Sequence, residues 1–175
     1  ERYDILCNHT LNDLKGECGL ISTRVKAQEG AFLAGINRKE KIRDIVDWPQ
    51  GKGSFGLPDS HPGEADFFEF TDYNAVVNAY HFKTLEIMHQ VALTLGKAED
   101  AARWQAEAES VRKQFNKLLL DTRNGRYRDG VGSEHSALHS NMFPLAFGLV
   151  PANKISGVAD FVRSRGMACS IANAM

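Results

Sequence analysis

Two helical patterns follow one another between Thr71 and Leu120 with almost nothing between them, and this pair constrains the fold more than any other feature. In the first, Tyr73, Val76, Val77, Tyr80, Ile87, Met88, Val91 and Leu95 fall at the spacing of one helix face, and Gly96 supplies the stop. In the second, from about Glu99 to Leu120, Trp104, Ala108, Val111, Phe115, Leu118 and Leu119 form one stripe, with Arg103, Glu107, Lys113 and Lys117 lying off it. A turn of only a few residues forces two such helices to run antiparallel and side by side. The chain is therefore expected to be built on a helical hairpin.

Similar signals recur along the rest of the sequence. Asn124-Gly125 predicts a tight turn and a small β-hairpin within Asp121–Gly130. Ser133 is the expected cap of a third helix running through Ser136 to Phe147, stopped by Gly148 and Pro151, with Pro144 predicting a kink or a shorter helix. A fourth helix is expected from about Asn153 to Arg165, with Ile155, Val158, Phe161 and Val162 apolar and Gly166 at its end. Upstream, the pattern reads as a helix from Arg2 to Leu14, turns at Gly16 and Gly19, an extended piece at Leu20–Thr23, and two helical pieces over 25–48. Residues 49–70 read as a glycine- and proline-rich loop whose length marks it as functional or disordered, and Phe55, Phe67, Phe68 and Phe70 argue against disorder. The expectation is one all-α domain over residues 1–175, made of recurring helical hairpins with a small β-hairpin insertion. Because Met167–Met175 reads as a turn into another helix at which the sequence stops, that domain is expected to be incomplete.

Composition narrows the functional classes. With 175 residues, 43% of them hydrophobic and 25% charged, the chain has material for a core of its own. A formal net charge of −1 with both signs interspersed provides no basic stripe for nucleic acid and no polybasic patch for a membrane surface. No apolar run approaches the roughly 20 residues that span a bilayer. Cys7, Cys18 and Cys169 show no metal-binding or disulfide-framework spacing, although one pair bridging stays open, as does the compartment.

The candidate chemistry is that of a sugar site. Asp47-Trp48 immediately precedes the glycine-rich loop. An indole offers a flat apolar surface to the C–H face of a pyranose, and a carboxylate accepts its hydroxyl hydrogens. The alternative is a buried Trp and a helix-ending Pro49. Glu64 and Asp66, with Asp47, supply the carboxylates that sugar hydroxyls or glycoside hydrolysis would use, or else they are solvated or cap the helix starting near Thr71. His135 and His139, four apart on the expected third helix, share a face with Glu134 beside them, but no third ligand is indicated. They point to a polar cleft rather than a metal. No nucleophile-elbow, Walker or dinucleotide-binding pattern is present.

Ile42-Arg-Asp-Ile-Val-Asp-Trp-Pro-Gln50, Pro62-Gly-Glu-Ala-Asp66, Phe70-Thr-Asp-Tyr-Asn74, Asn141-Met-Phe-Pro-Leu-Ala-Phe-Gly-Leu-Val-Pro151 and Ser164-Arg-Gly-Met-Ala-Cys-Ser170 occur in this order, and together they resemble bacterial α-L-rhamnosidases of glycoside hydrolase family 78. That resemblance implies part of a six-hairpin α/α barrel, also called an α/α toroid, in an enzyme that removes terminal α-L-rhamnose from plant glycosides and polysaccharides with inversion. It implies that the general acid and base lie outside this chain, because the motifs that carry them are absent. Trp48 would stack on the sugar and Asp47 would orient it; Glu64, Asp66, His139 and Asn141 match stretches of relatives and are carried as substrate-binding candidates. No cofactor is implied, and the partner is a rhamnose-containing carbohydrate. Another six-hairpin glycosidase or lyase, or a non-catalytic carbohydrate-binding helical module, stands as the alternative. Half a barrel leaves an apolar interface to cover, so a homo-oligomer or further chain is the accompanying expectation.

Overall fold

A computed structural model describes residues 2–8, 14–22, 46 and 66–166 of the chain. Its elements are α1 (Arg2–Asn8), α2 (Ala75–Thr94), α3 (Ala98–Leu119), β1 (Leu120–Asp121), β2 (Arg126–Tyr127), α4 (Leu138–Ala146), a 3-10 turn at Ala152–Lys154, and α5 (Ile155–Arg165). The expected helical pieces over 25–48, the loop up to residue 65 and the segment after Gly166 lie outside the described residues.

The hairpin α2–α3 forms because its ends are capped. The Asn74 side chain accepts the Val77 N–H at 2.9 Å and starts α2. At the other end Gly96 adopts φ 68°, and the Lys97 and Gly96 N–H groups return to the carbonyls of Ala92 and Leu93, a closed glycine cap. Helix α3 then folds back against α2 and buries Trp104, Ala108, Val111, Phe115 and Leu119 of the stripe legible in the sequence, together with Ala101, while Leu118 is half-buried. On α2 the outcome differs. Val76 and Met88 point inward, but Tyr80, Ile87 and Leu95 are about half exposed, while Ala79, Phe82, Leu85 and Ala92 complete the buried face. Helix α2 is apolar on two sides, so periodicity alone does not choose which side faces α3.

Helix α1 is described over Arg2–Asn8, and Leu14 lies in a 3-10 turn. The helix docks through Tyr3, whose hydroxyl donates to Asp100 at 3.0 Å and accepts the indole N–H of Trp104 at 3.2 Å. Ile21 pairs with Lys15 in an isolated bridge. The amide of buried Asn78 acts toward Ile21 as a strand neighbour would, accepting its N–H at 2.8 Å and donating to its carbonyl at 3.0 Å.

The β-hairpin sits where Asn124-Gly125 predicts, with Leu120 opposite Tyr127 and Asp121 opposite Arg126. Tyr127 is fully buried against Phe115, ring centroids 5.3 Å apart, and its hydroxyl donates to Asn116 at 2.5 Å. Helix α4 starts at Leu138, not near Ser133, and runs past Pro144 by two residues. Helix α5 packs against α4 as a second hairpin and ends at Gly166, φ 54°. The architecture is thus all-α, built of two helical hairpins with a two-stranded insertion. Among the described residues no helix is long and apolar enough to cross a membrane. Cys7 and Cys18 are free thiols.

One buried group makes the fold sensitive to acid. Burial, and secondarily the positive charge of Lys15, hold the imidazole of His81 down at about 4. Its ordinary value is about 6.5, so below that pH the unfolded chain takes up a proton that the folded chain refuses. Stability is therefore complete above pH about 6.5 and falls toward pH 4, by about 3 kcal/mol. Thermal unfolding of wild type and His81→Gln at pH 7 and 4.5 checks this; the variant is expected to lose less stability over that interval.

Candidate functional site

The densest polar arrangement is organised by Asp129, which is 0% exposed. Oδ1 accepts the Ala137 N–H at 2.7 Å and the Ser140 hydroxyl at 2.5 Å. Oδ2 accepts the Glu69 N–H at 2.9 Å and lies 2.6 Å from Nδ1 of His135. The backbone of the same residue is committed as well: its N–H donates to the His135 carbonyl at 2.9 Å, and its carbonyl accepts the Ala75 N–H at 2.8 Å. One residue thus joins the segment before α2, the end of the β-hairpin and the start of α4.

This hub explains why Ser133 caps no helix. Its hydroxyl accepts the His135 N–H at 3.0 Å and donates to Glu69 at 2.5 Å, and the chain from 131 to 137 stays non-helical around Asp129. The first turn of α4 is served instead by Asp66, whose carboxylate accepts the Leu138 N–H at 2.5 Å and pairs with the guanidinium of Arg165. Asp66 therefore caps a helix, but not the one starting near Thr71. His135 precedes α4 while His139 lies within it, so the two imidazoles do not share a helix face as their spacing suggests.

The remaining candidates that fall on described residues have these positions. Asn141 is fully buried; its Oδ1 accepts the Tyr127 N–H at 2.8 Å, and its Nδ2 donates to the carbonyls of Tyr127 and Ala137 at 3.0 and 2.9 Å. It fastens β2 to α4. His139 is enclosed beside Phe143, ring centroids 6.0 Å apart. Asp47, Trp48 and Glu64 lie outside the described residues. Val46 is buried in a cluster with Phe68, Val76 and Ala137.

The charged rim of the hub is balanced. Asp121 accepts from Arg123 at 2.8 Å and from Arg128 at 3.4 Å, and Glu134 faces the same two guanidiniums at 3.3 and 3.4 Å. The hydrogen bonds from Arg123 hold the Asp121 carboxyl well below the usual carboxylate range, and Asp121 in turn raises the Arg123 guanidinium. Among the described residues no three metal-ligating side chains converge.

Asp129, Glu69 and Phe67 belong to this region, and sequence reasoning assigns them no role. Phe67 is half exposed, with φ 53°, and is the one non-glycine residue of positive φ among those described. The only local signal is the density of aromatics in Phe67-Phe68-Glu69-Phe70, because the residues that hold Asp66 and Glu69 by hydrogen bonds lie 60 or more positions away.

Comparison with known proteins adds three facts. The family model described as the bacterial α-L-rhamnosidase six-hairpin glycosidase domain matches residues 24–173. A crystal structure of a GH78 family rhamnosidase of Bacillus sp. GL1 is similar with a TM-score of 0.64 at 16% identity, over 95% of this chain and 15% of that one. No curated protein matches the chain.

Proposed function

The chain belongs to the bacterial α-L-rhamnosidase six-hairpin glycosidase family, and from that premise we propose that the protein carrying it removes terminal α-L-rhamnose from plant glycosides or polysaccharides with inversion. The observation that carries the reading is the family match over residues 24–173, on a chain that folds as two helical hairpins, part of a six-hairpin α/α barrel. The domain is a glycoside hydrolase domain of the rhamnosidase type.

Inversion needs one carboxylic acid to protonate the leaving oxygen and one carboxylate to activate water on the opposite face, the two standing about 6.5–9.5 Å apart. In this proposal both lie outside residues 1–175, and this chain supplies binding surface. Trp48 stacks on the C–H face of the sugar, while Asp47 and Glu64 accept its hydroxyl hydrogens. Asp66 and Asn141 serve the site through the backbone they hold, since the first fixes the start of α4 and the second joins α4 to β2, and His139 is enclosed within α4 beside Phe143.

The test is hydrolysis of a panel of aryl glycosides by the full-length protein. The rhamnoside is expected to be the preferred substrate, with inverted L-rhamnose as the first product seen by NMR; preference for any other glycoside overturns the assignment. Trp48→Ala is expected to weaken rhamnose affinity by about 1–3 kcal/mol, measured by calorimetric titration. An unchanged affinity removes Trp48 from the site.

A further inference from the structure

We propose that Phe67 and the imidazole of His135 form a further contact edge for a neutral pyranose ring, beyond the Asp47-Trp48 pair and resting on the carbohydrate-site reading above. The argument begins with an outlier. Phe67 has φ 53°, a left-handed backbone that a bulky L-residue seldom adopts. Its neighbours enforce it. Asp66 is tied to the Leu138 N–H and to Arg165, Phe68 is buried, and the Glu69 N–H is held by Asp129 at 2.9 Å. The result is a residue 52% exposed, whereas Phe68 and Phe70 pack together edge to face at 5.0 Å. Neither backbone preference nor burial rewards this placement, and strain held in place by well-anchored flanks is a feature of ligand-contact positions. An outward aromatic face suits the C–H side of a sugar ring.

His135 supplies the polar complement. Its Nδ1 faces the buried carboxylate of Asp129 at 2.6 Å, which fixes the ring and leaves Nε2 as its outer nitrogen on a side chain 32% exposed. In the neutral ring Nδ1 carries the proton, so Nε2 accepts a hydroxyl hydrogen. The same Asp129 oxygen that orients His135 also holds the N–H of Glu69, so Phe67 lies no more than about 7 Å of chain from that shared anchor. Phe68 and Ala137, which follow Phe67 and His135 in the chain, are buried in one cluster, so the two segments run side by side. The surrounding guanidiniums of Arg123, Arg128 and Arg165 are engaged by Asp121, Glu134 and Asp66, so the edge fits an uncharged pyranoside better than a uronate.

The experiment uses the full-length protein with Phe67→Gly, Phe67→Trp and His135→Ala, reading KM on the preferred aryl glycoside, calorimetric affinity for the free sugar, and Tm. Glycine accepts the left-handed backbone, so Phe67→Gly is expected to keep or raise Tm while KM rises about tenfold. Phe67→Trp is expected to restore KM, and His135→Ala to raise it severalfold. Unchanged KM and affinity in Phe67→Gly and His135→Ala overturn the proposal, as does a raised KM accompanied by a lowered Tm that tryptophan fails to restore. If wild type prefers a glycoside other than the rhamnoside, the functional assignment falls but the edge is judged on that sugar by the same variants. If wild type binds no neutral glycoside, the edge falls too.

Discussion

Asp129→Ala is expected to lower the stability of the protein by at least about 3 kcal/mol, the largest effect of any single polar substitution in the described region. The side chain is fully buried and receives four donors: two backbone N–H groups, from Glu69 and Ala137, the Ser140 hydroxyl, and Nδ1 of His135. Truncation leaves three of these without their acceptor in a dry environment, at about 1–3 kcal/mol each, and lets His135 turn toward water. Asp129→Asn keeps the shape but offers one acceptor oxygen where two are used, and its amide directs hydrogens at donors. It is expected to fall between wild type and alanine. Thermal unfolding checks both: for a domain of this size about 1 kcal/mol corresponds to roughly 2–4 °C. A loss under about 1 kcal/mol in the alanine variant would show that the hub is replaceable by water.

Trp104→Ala is the second large effect, expected at about 4–5 kcal/mol, near the top of the range for deleting a buried aromatic. Trp104 is the largest fully buried side chain among the described residues and sits on α3 in the main core cluster. Its loss opens a cavity between packed helices and also removes the donor that the Tyr3 hydroxyl accepts at 3.2 Å, so α1 loses part of its hold on the hairpin. Trp104→Phe refills most of the volume but not the hydrogen bond. A chemical-denaturation midpoint that is nearly restored in Trp104→Phe would assign the loss to packing; one that stays low would assign it to the docking of α1.

The helical hairpin was legible because its signals are local. Gly96 caps α2 within four residues of the carbonyls it closes, the α3 stripe is apolar on one side only, and Asn124-Gly125 turns within the two strands it joins. The start of α4 was not legible for the opposite reason. Ser133 carries the right side chain for a cap, but the residues that decide the matter are Asp66 and Asp129, and Asp66 lies 72 positions from Leu138. Likewise His135 and His139 have helical spacing, yet Asp129 holds the first of them off the helix. On α2, Tyr80 and Ile87 are as apolar as Phe82 and Leu85, and only the tertiary partners sort them. Candidate sugar contacts are read from residue type alone, aromatic beside carboxylate, and Asp47, Trp48 and Glu64 lie outside the described residues, while the left-handed backbone of Phe67 leaves no mark in composition.

The ties on residues 66–70 also set an order of events. Glu69 is held by residues 60 and 64 positions later, Asp66 by residues 72 and 99 positions later. During synthesis this segment emerges well before any of those partners exist, and the α2–α3 hairpin, whose contacts are local, has time to form first. The outward edge at Phe67 is therefore a late-assembled part of the molecule, completed only when Arg165 at the end of α5 closes on Asp66. A nascent chain stalled before that point carries a formed hairpin and no finished edge.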